Sequence, residues 1–174
     1  MGLGDQLDEM RVSARSPNGE IWAELTGRRA LRLEFMPGYY DRTSENALEG
    51  QLAALCRLLW VARTREAEAL VSASGGETLT PARVQDPAGQ AYFQGLAAIE
   101  ARGGSADGSV SVVATHGMRE WQVRISDGTL RRCNEAEFAA RAAEAADSVV
   151  RDQLDRVRRL RVEVYRPELL NSPG

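Results

Sequence analysis

Lysine is absent from this chain, and histidine and cysteine are rare: the 174 residues include one histidine and two cysteines. All 22 basic side chains are therefore arginines, which indicates a GC-rich genome because arginine codons are rich in G and C. Cys56 and Cys133 are too few for a disulfide scaffold, and they lack the Cys-x-x-Cys spacing of many metal sites. We therefore expect two free thiols, no metal and no other cofactor.

Long apolar runs are also missing. The N-terminal stretch MGLGDQLDEMR contains no apolar segment of the kind that defines a signal peptide. No later run approaches the roughly 20 residues that a membrane helix needs. The net charge of −3 gives no overall attraction to nucleic acid or to membranes. We expect a cytoplasmic protein and no membrane partner.

The residue patterns of common active sites are scarce as well. His116 is the only histidine and stands beside the turn residue Gly117, with no second ligand at metal-binding spacing. The stretches GLGDQ and SASGGET contain glycines but lack the strand context and the lysine of a phosphate-binding loop. No pair of carboxylates stands in the apolar setting that marks an acid–base couple. We expect a protein that is not an enzyme.

What the chain does contain is regular alternation of apolar and polar residues, which predicts three strands near the N-terminus. They cover residues 10–16, 20–25 and 31–35. A Ser-Pro-Asn-Gly turn separates the first two strands, and Gly27 separates the second from the third. Pro37 ends the third strand, because proline cannot donate a hydrogen bond to a sheet.

A long amphipathic helix is predicted next, with Thr43 or Ser44 as its N-cap. Its apolar stripe follows helical spacing and comprises Leu48, Leu52, Leu55, Leu59 and Ala62. Gly50 lies inside the helix and weakens it by about 1 kcal/mol relative to alanine. The glycine- and proline-broken residues 73–86 read as a linker, and a further helix is predicted from Pro87 to Gly103.

The strand–strand–helix pattern recurs with an offset of 90 residues. From Gly27 onward the copies align without gaps; examples are Gly27 with Gly117, Leu33 with Val123, Phe35 with Ile125 and Gly38 with Gly128. Before Gly27 one inserted residue is needed. The second long helix has Asn134 as its cap and a matching stripe of Phe138, Ala142, Ala145 and Val149. We interpret the pattern as an internal duplication.

The copies differ at their edges. The first opens with the strand over residues 10–16, whereas the helix over residues 87–103 takes that place in the second copy. Residues 160–165 alternate again, which leaves two alternatives open: a strand after the second long helix, or a continuation of that helix.

The predicted fold is α+β, with two tandem units that each combine a small antiparallel sheet with a long amphipathic helix. The first unit covers residues 1–72 and the second covers residues 87–166. Residues 73–86 form the linker between them, and residues 167–174 form a tail.

These elements occur in an order that is known from one protein family. They are the strand GEIWAEL, the turn Gly27, the strand RRALRLEF, the Pro37–Gly38 break and the acidic helix start SENALEGQLAAL. A unit of this kind resembles the YbaB/EbfC family of small bacterial nucleoid-associated proteins. Its hairpin, VSARSPNGEIWAEL, is similar to variants from high-GC bacteria, and the second copy matches through Gly117, EWQVRI and NEAEFAARAAEAA.

Family members carry one such unit per chain and form dimers, so the resemblance implies that this chain is an intramolecular pseudo-dimer. It also implies DNA binding with little sequence preference, a location at the nucleoid, no enzymatic activity and no cofactor. Some high-GC variants accompany type VII (ESX) secretion systems, so the resemblance equally allows a protein-interaction or scaffold factor. The chain departs from the family pattern because it is duplicated and because the leading helix of the first copy is nearly absent.

Arginine clusters are the candidate nucleic-acid contacts, because cations on phosphates dominate DNA affinity. Neither half is basic: nine arginines oppose eleven acids in residues 1–72, and eleven oppose eleven in residues 105–174. The candidates are Arg28, Arg29, Arg32, Arg131, Arg132, Arg151, Arg156, Arg158, Arg159 and Arg161. For the group from Arg151 onward, a solvated helix end is the alternative, since arginine is favourable near a helix C-terminus.

Trp22 is the candidate anchor for a protein partner, because it lies on the polar face of its strand. The alternative is that Trp22 packs against the other copy. The expected partner is thus DNA, bound weakly through its phosphate backbone, or another protein, and self-association stays open.

Overall fold

Two three-stranded antiparallel sheets and two long helices build the protein, whose computed structural model describes residues 2–169. The first sheet contains β1 (Arg11–Arg15), β2 (Ile21–Thr26) and β3 (Ala30–Phe35), and the second contains β4 (Ala101–Gly104), β5 (Val110–Thr115) and β6 (Glu120–Ile125). The helices are α1 (Leu3–Glu9), α2 (Tyr39–Arg42), α3 (Glu45–Ala73), α4 (Pro87–Ala98), α5 (Thr129–Arg132) and α6 (Glu135–Tyr165). The α+β class is as predicted.

The central strand of each sheet follows the predicted alternation. In β2, Ile21, Ala23 and Leu25 are buried, and Ala23 pairs with Ala14 of β1 and Leu33 of β3. Strand β5 buries its own alternate residues, Val110, Val112 and Ala114. One face of each sheet therefore enters the core, and the other faces outward.

Strand β4 corrects the prediction of a helix that ends at Gly103. Helix α4 ends at Ala98, and residues from Ala101 pair with β5. Gly103 lies against α6, where an added Cβ would stand 2.2 Å from the backbone nitrogen of Val149. The glycine thus permits close packing of a strand on a helix. The second unit therefore has the leading strand that its sequence did not predict.

From β3 to the starts of the two long helices, the element bounds repeat with the predicted offset of 90 residues. The short helices α2 and α5 both follow a left-handed glycine, and α3 and α6 begin at Glu45 and Glu135. The extra residue of the second copy lies in its hairpin turn. Residues 27–29 connect β2 to β3, whereas residues 116–119 connect β5 to β6.

Side-chain caps fix the starts of both long helices. Ser44 accepts a hydrogen bond from the Ala47 N–H at 3.3 Å, and Asn134 accepts one from the Glu137 N–H at 2.9 Å. Helix α6 continues through residues 160–165, so the alternative of a strand there is wrong. Its last turns pack on α4, where the missing side chain of Gly95 makes room for Leu160.

Each long helix packs on both sheets. Helix α3 contacts β1 and β2 of its own unit and β6 of the other, while α6 contacts β4, β5 and β3. A single buried apolar cluster therefore draws residues from both units. Aromatic pairs cross between them, with ring centroids 6.1 Å apart for Phe35 and Phe138 and 6.2 Å apart for Trp60 and Trp121.

Candidate nucleic-acid interface

A groove of about 840 Å³ lies between the tip of the β2–β3 hairpin and the second half of α6; we call it the first groove. Its basic lining comes from both units, because Arg28 and Arg29 are on the hairpin and Arg151 and Arg158 are on the helix. Two of the predicted arginine clusters therefore meet at one surface. They are more than 100 residues apart in the chain.

The hairpin tip is held in place by its neighbours. Gly27 has φ +62°, its N–H donates to the Met10 carbonyl at 2.7 Å, and an added Cβ would lie 2.7 Å from the Asp8 carbonyl oxygen. The Arg63 side chain of α3 donates to the Gly27 carbonyl at 3.2 Å. Burial, together with the nearby charge of Arg28, lowers the pKa of Arg63. The arginines at the tip therefore project from a turn whose backbone is held by hydrogen bonds to Met10 and Arg63.

Carboxylates neutralise much of the first groove. Asp147 contacts Arg29 at 3.3 Å and Arg151 at 2.8 Å, and Asp155 contacts Arg158 at 3.3 Å. Within residues 2–169, Arg28 makes no ion pair. Exposed ion pairs of this kind contribute about 0–1 kcal/mol each, so a phosphate group can compete for these arginines.

A second groove of about 530 Å³ lies between α3 and the second sheet, where the tip of the β5–β6 hairpin contributes Arg119. Arg119 stands 90 residues after Arg29, and Arg57 occupies the position in α3 that Asp147 occupies in α6. Neither Arg57 nor Arg119 forms an ion pair with any residue that the structure describes. Neither residue was among the predicted contacts, although the repeat offset aligns them with Asp147 and Arg29.

Several predicted arginines do not line the first groove. Arg32 pairs with Glu34 on the outward face of the first sheet. Arg131 and Arg132 lie on the short helix α5, where Arg132 donates to the Asp127 carbonyl at 3.1 Å. The structure therefore separates these three residues from the arginines of the hairpin tip and α6.

The remaining candidates lie on α6 outside the first groove. Arg156 donates to the Asp152 carboxylate at 2.8 Å, and the Arg102 N–H donates to the same carboxylate at 2.8 Å. Burial opposes ionisation of Asp152, but these hydrogen bonds and the charges of Arg156 and Arg159 lower its pKa overall. Arg161 lines a different groove near the end of the helix.

Trp22 is half-buried on the outward face of the first sheet, opposite Arg15 of β1 and Glu34 of β3. The other two tryptophans pair with each other between the units. Trp22 thus keeps the position on the polar face that the alternation predicts, flanked by charges of both signs.

The described residues offer no metal centre and no bilayer span. Within residues 2–169, no cluster of three or more histidine, cysteine, aspartate or glutamate side chains has the geometry to hold a metal ion. His116 is an exposed turn residue, 3.3 Å from Glu120. None of the helices in this part of the chain combines the length and apolar character needed to cross a membrane.

Comparisons with protein-family models, with curated proteins and with solved structures return no match. The resemblance to the YbaB/EbfC family therefore rests on the residues quoted above and stays a prediction. Function has to be inferred from the grooves and their charges.

Proposed function

We propose that the protein is a non-enzymatic, nucleoid-type protein that binds duplex DNA through its phosphate backbone, with little sequence preference. The observation that carries this proposal is the meeting of Arg28 and Arg29 with Arg151 and Arg158 at the first groove. Arginine suits this role because its planar guanidinium can bind two phosphate oxygens at once. Contacts of this kind position a protein on DNA and carry no sequence information.

The two units would act as an intramolecular pseudo-dimer. Reciprocal packing supports this part of the proposal, since α3 contacts β6 and α6 contacts β3. The offset of 90 residues between equivalent elements supports the pseudo-dimer as well. A pseudo-dimer would present the first and second grooves at equivalent positions, so that one duplex could reach Arg28 in one groove and Arg57 and Arg119 in the other.

The test is a fluorescence anisotropy titration of a labelled duplex at 50 and 200 mM salt. Two or more phosphate contacts predict a loss in affinity of at least about tenfold between these salt concentrations. No binding at 50 mM salt, or an affinity that is the same at both salt concentrations, would contradict the proposal.

Asp147→Asn gives a sharper test, because Asp147 forms ion pairs with both Arg29 and Arg151. Its loss should strengthen DNA binding and steepen the slope of log K against log salt by about 1 to 2. Glu144→Gln is the matched control, since it removes one negative charge from an exposed position of the same helix outside the groove. Equal effects of the two variants on DNA affinity would show that this affinity depends on the net charge of the protein and not on the first groove.

The second candidate function is a protein-interaction or scaffold factor. In the YbaB/EbfC family, which this chain resembles, some variants of this kind accompany type VII (ESX) secretion systems. The mixed charge of the first groove favours it, because three aspartates accompany the four arginines. For such a partner Asp147→Asn should weaken binding. Affinity capture from the native cell with wild type and Trp22→Ala is the direct measurement, and this candidate fails if neither recovers a specific protein.

A further inference from the structure

A third groove, of about 570 Å³, lies where α4 meets the end of α6; we call it the aromatic groove. Its apolar wall contains Tyr92 and Phe93 of α4, Tyr165 of α6 and Leu79 of the linker. The ring centroids of Tyr92 and Tyr165 are 5.7 Å apart, and those of Tyr92 and Phe93 are 5.9 Å apart. This cluster is separate from the core that the two units share.

The apolar wall is open to solvent. Leu79 is 69% exposed and Tyr165 is 49% exposed. Single exposed apolar residues are common, but aromatic and aliphatic side chains gathered in one concave site are typical of binding surfaces. The volume also falls in the range of about 300–1,000 Å³ that ligand sites occupy.

The walls of the aromatic groove are fixed by close contacts. Helix α4 packs tightly on α6, since a Cβ at Gly95 would lie 2.5 Å from the Leu160 side chain. The linker is held on α4 by Val84, whose side chain lies 2.1 Å from the position of a Cβ at Gly89. The Gly89 N–H also donates to the Asp86 carboxylate at 2.8 Å. A ligand would therefore meet a surface that is already formed.

The rim of the groove is positive. Arg83 and Arg161 line it, and neither forms an ion pair with any residue in the described range 2–169. Asp86 is the one acidic residue of the lining, and one of its oxygens already accepts the Gly89 N–H. The complementary surface is a large apolar group with negative charge beside it.

We propose that the aromatic groove binds a peptide segment of another protein, in which a large apolar side chain is flanked by carboxylates. The apolar side chain packs against Tyr92, Tyr165 and Leu79, and the carboxylates pair with Arg83 and Arg161. This site shares no lining residue with the first or second groove, so it stands or fails independently of DNA binding.

The first experiment uses three fluorescein-labelled hexapeptides in anisotropy titrations with the full chain. Asp-Glu-Phe-Leu-Asp-Glu should bind saturably. Lys-Arg-Phe-Leu-Lys-Arg and Asp-Glu-Ser-Gly-Asp-Glu should not, because one reverses the charge and the other removes the apolar pair. Equal binding of all three peptides, or none by the first, overturns the proposal.

Variants then locate the binding. Tyr165→Ala and Arg161→Glu should each weaken binding of the acidic peptide by about tenfold or more, since the first removes an aromatic contact and the second places a negative charge beside the carboxylates of the peptide. Arg159→Glu makes the same charge change outside the groove, so it should bind like wild type. A loss of affinity in Arg159→Glu as large as in Arg161→Glu contradicts the assignment.

Two other occupants are distinguished by separate measurements. If the peptide binds only after residues 170–174 are deleted, the chain's own end fills the groove and the proposal is wrong. If sedimentation shows a dimer that Tyr165→Ala dissociates, a second copy fills it, and the proposal is again wrong. A wild-type chain that stays monomeric and binds the acidic peptide with residues 170–174 in place supports the proposal.

Discussion

Glycine is required at position 103 because β4 and α6 lie too close together for a side chain to fit between them. Its backbone lies against α6, where a Cβ would stand 2.2 Å from the Val149 nitrogen and 2.8 Å from the Ala145 carbonyl oxygen. Both neighbours are backbone atoms, so no side-chain rotation can relieve the overlap. Gly50 is the opposite case, because a Cβ there would meet no atom within 4 Å.

Alanine at these two glycines should therefore change stability in opposite directions. Gly103→Ala should lower the free energy of unfolding by about 1–3 kcal/mol or more, because β4 must move away from α6. Gly50→Ala should raise it by about 0.5–1 kcal/mol, because alanine favours the helix and meets no obstacle. Urea unfolding followed by circular dichroism measures both. A stabilising Gly103→Ala would disprove the close approach.

Single residues on apolar stripes were predictable, while close contacts between distant residues were not. Leu48, Leu52, Leu55 and Leu59 are buried as their helical spacing predicts. Gly103 was misread because a glycine that ends a helix and a glycine that admits a neighbouring backbone look the same in sequence. The deciding partner, Val149, lies 46 residues away.

At the scale of elements, a carboxylate joins α3 to the other unit. Glu49 accepts hydrogen bonds from the Ile125 N–H at 2.8 Å and from the Arg124 guanidinium at 3.1 Å, and its side chain is only 14% exposed. Glu45, one turn earlier, accepts a longer bond from the Leu130 N–H at 3.3 Å. Hydrogen bonds from its own backbone N–H and from that of Leu130 lower the pKa of Glu45.

Glu49→Ala should lower the free energy of unfolding by about 1–3 kcal/mol, because it leaves the Ile125 N–H without its acceptor at a largely buried position. Glu34→Ala is the matched control. Its exposed pair with Arg32 should contribute about 0–1 kcal/mol. Urea unfolding of the two variants makes the comparison, and equal losses would show that Glu49 does not hold α3 to β6.

The existence of most elements was predictable, but the structure of residues 160–165 was decided by tertiary packing. The alternation over residues 160–165 fits a strand as well as the end of a helix. Leu160 packs on Gly95, and this contact keeps the segment helical in α6. The short helix α1 was not predicted either, because seven residues give too short an apolar period to recognise.

At the scale of the whole molecule, the two units share their core. Cys56 lies between them, beside two small apolar cavities of about 30 and 40 Å³ that residues of both units line. Burial raises the pKa of its thiol to about 12. At the other end of the interface, the Tyr40 hydroxyl donates to the Cys133 carbonyl at 2.8 Å. Burial, followed by the contact with Cys133, raises the pKa of Tyr40.

We therefore expect both units to unfold in one cooperative transition. Cys133→Ala leaves Cys56 as the only thiol, and Cys56→Ala leaves Cys133. Labelling of either thiol in urea should accelerate together with the change in tryptophan fluorescence, because Cys133 is buried and Cys56 is partly buried beside the shared core, so both become fully accessible only when that core opens. Separate transitions for the two variants would show that each unit has a core of its own.

The candidate interface was predictable only in part. Charge clusters are visible in the sequence, and four of the predicted arginines do meet in the first groove. The ion pair of Arg29 with Asp147 was not visible, since only the packing of α6 beside β3 brings these two residues together. The aromatic groove escaped notice because its residues come from the linker, α4 and the end of α6, which no single periodic pattern connects.

The presence of both grooves in one chain has a consequence for how they can evolve. In a dimer of identical chains, a codon change alters both symmetry-related surfaces at once, so a favourable and a harmful effect cannot be separated. Here residue 57 and residue 147 are encoded independently, and they carry Arg and Asp at equivalent places. Selection can therefore act on one surface while the other keeps its role, as it does on the members of a duplicated gene pair.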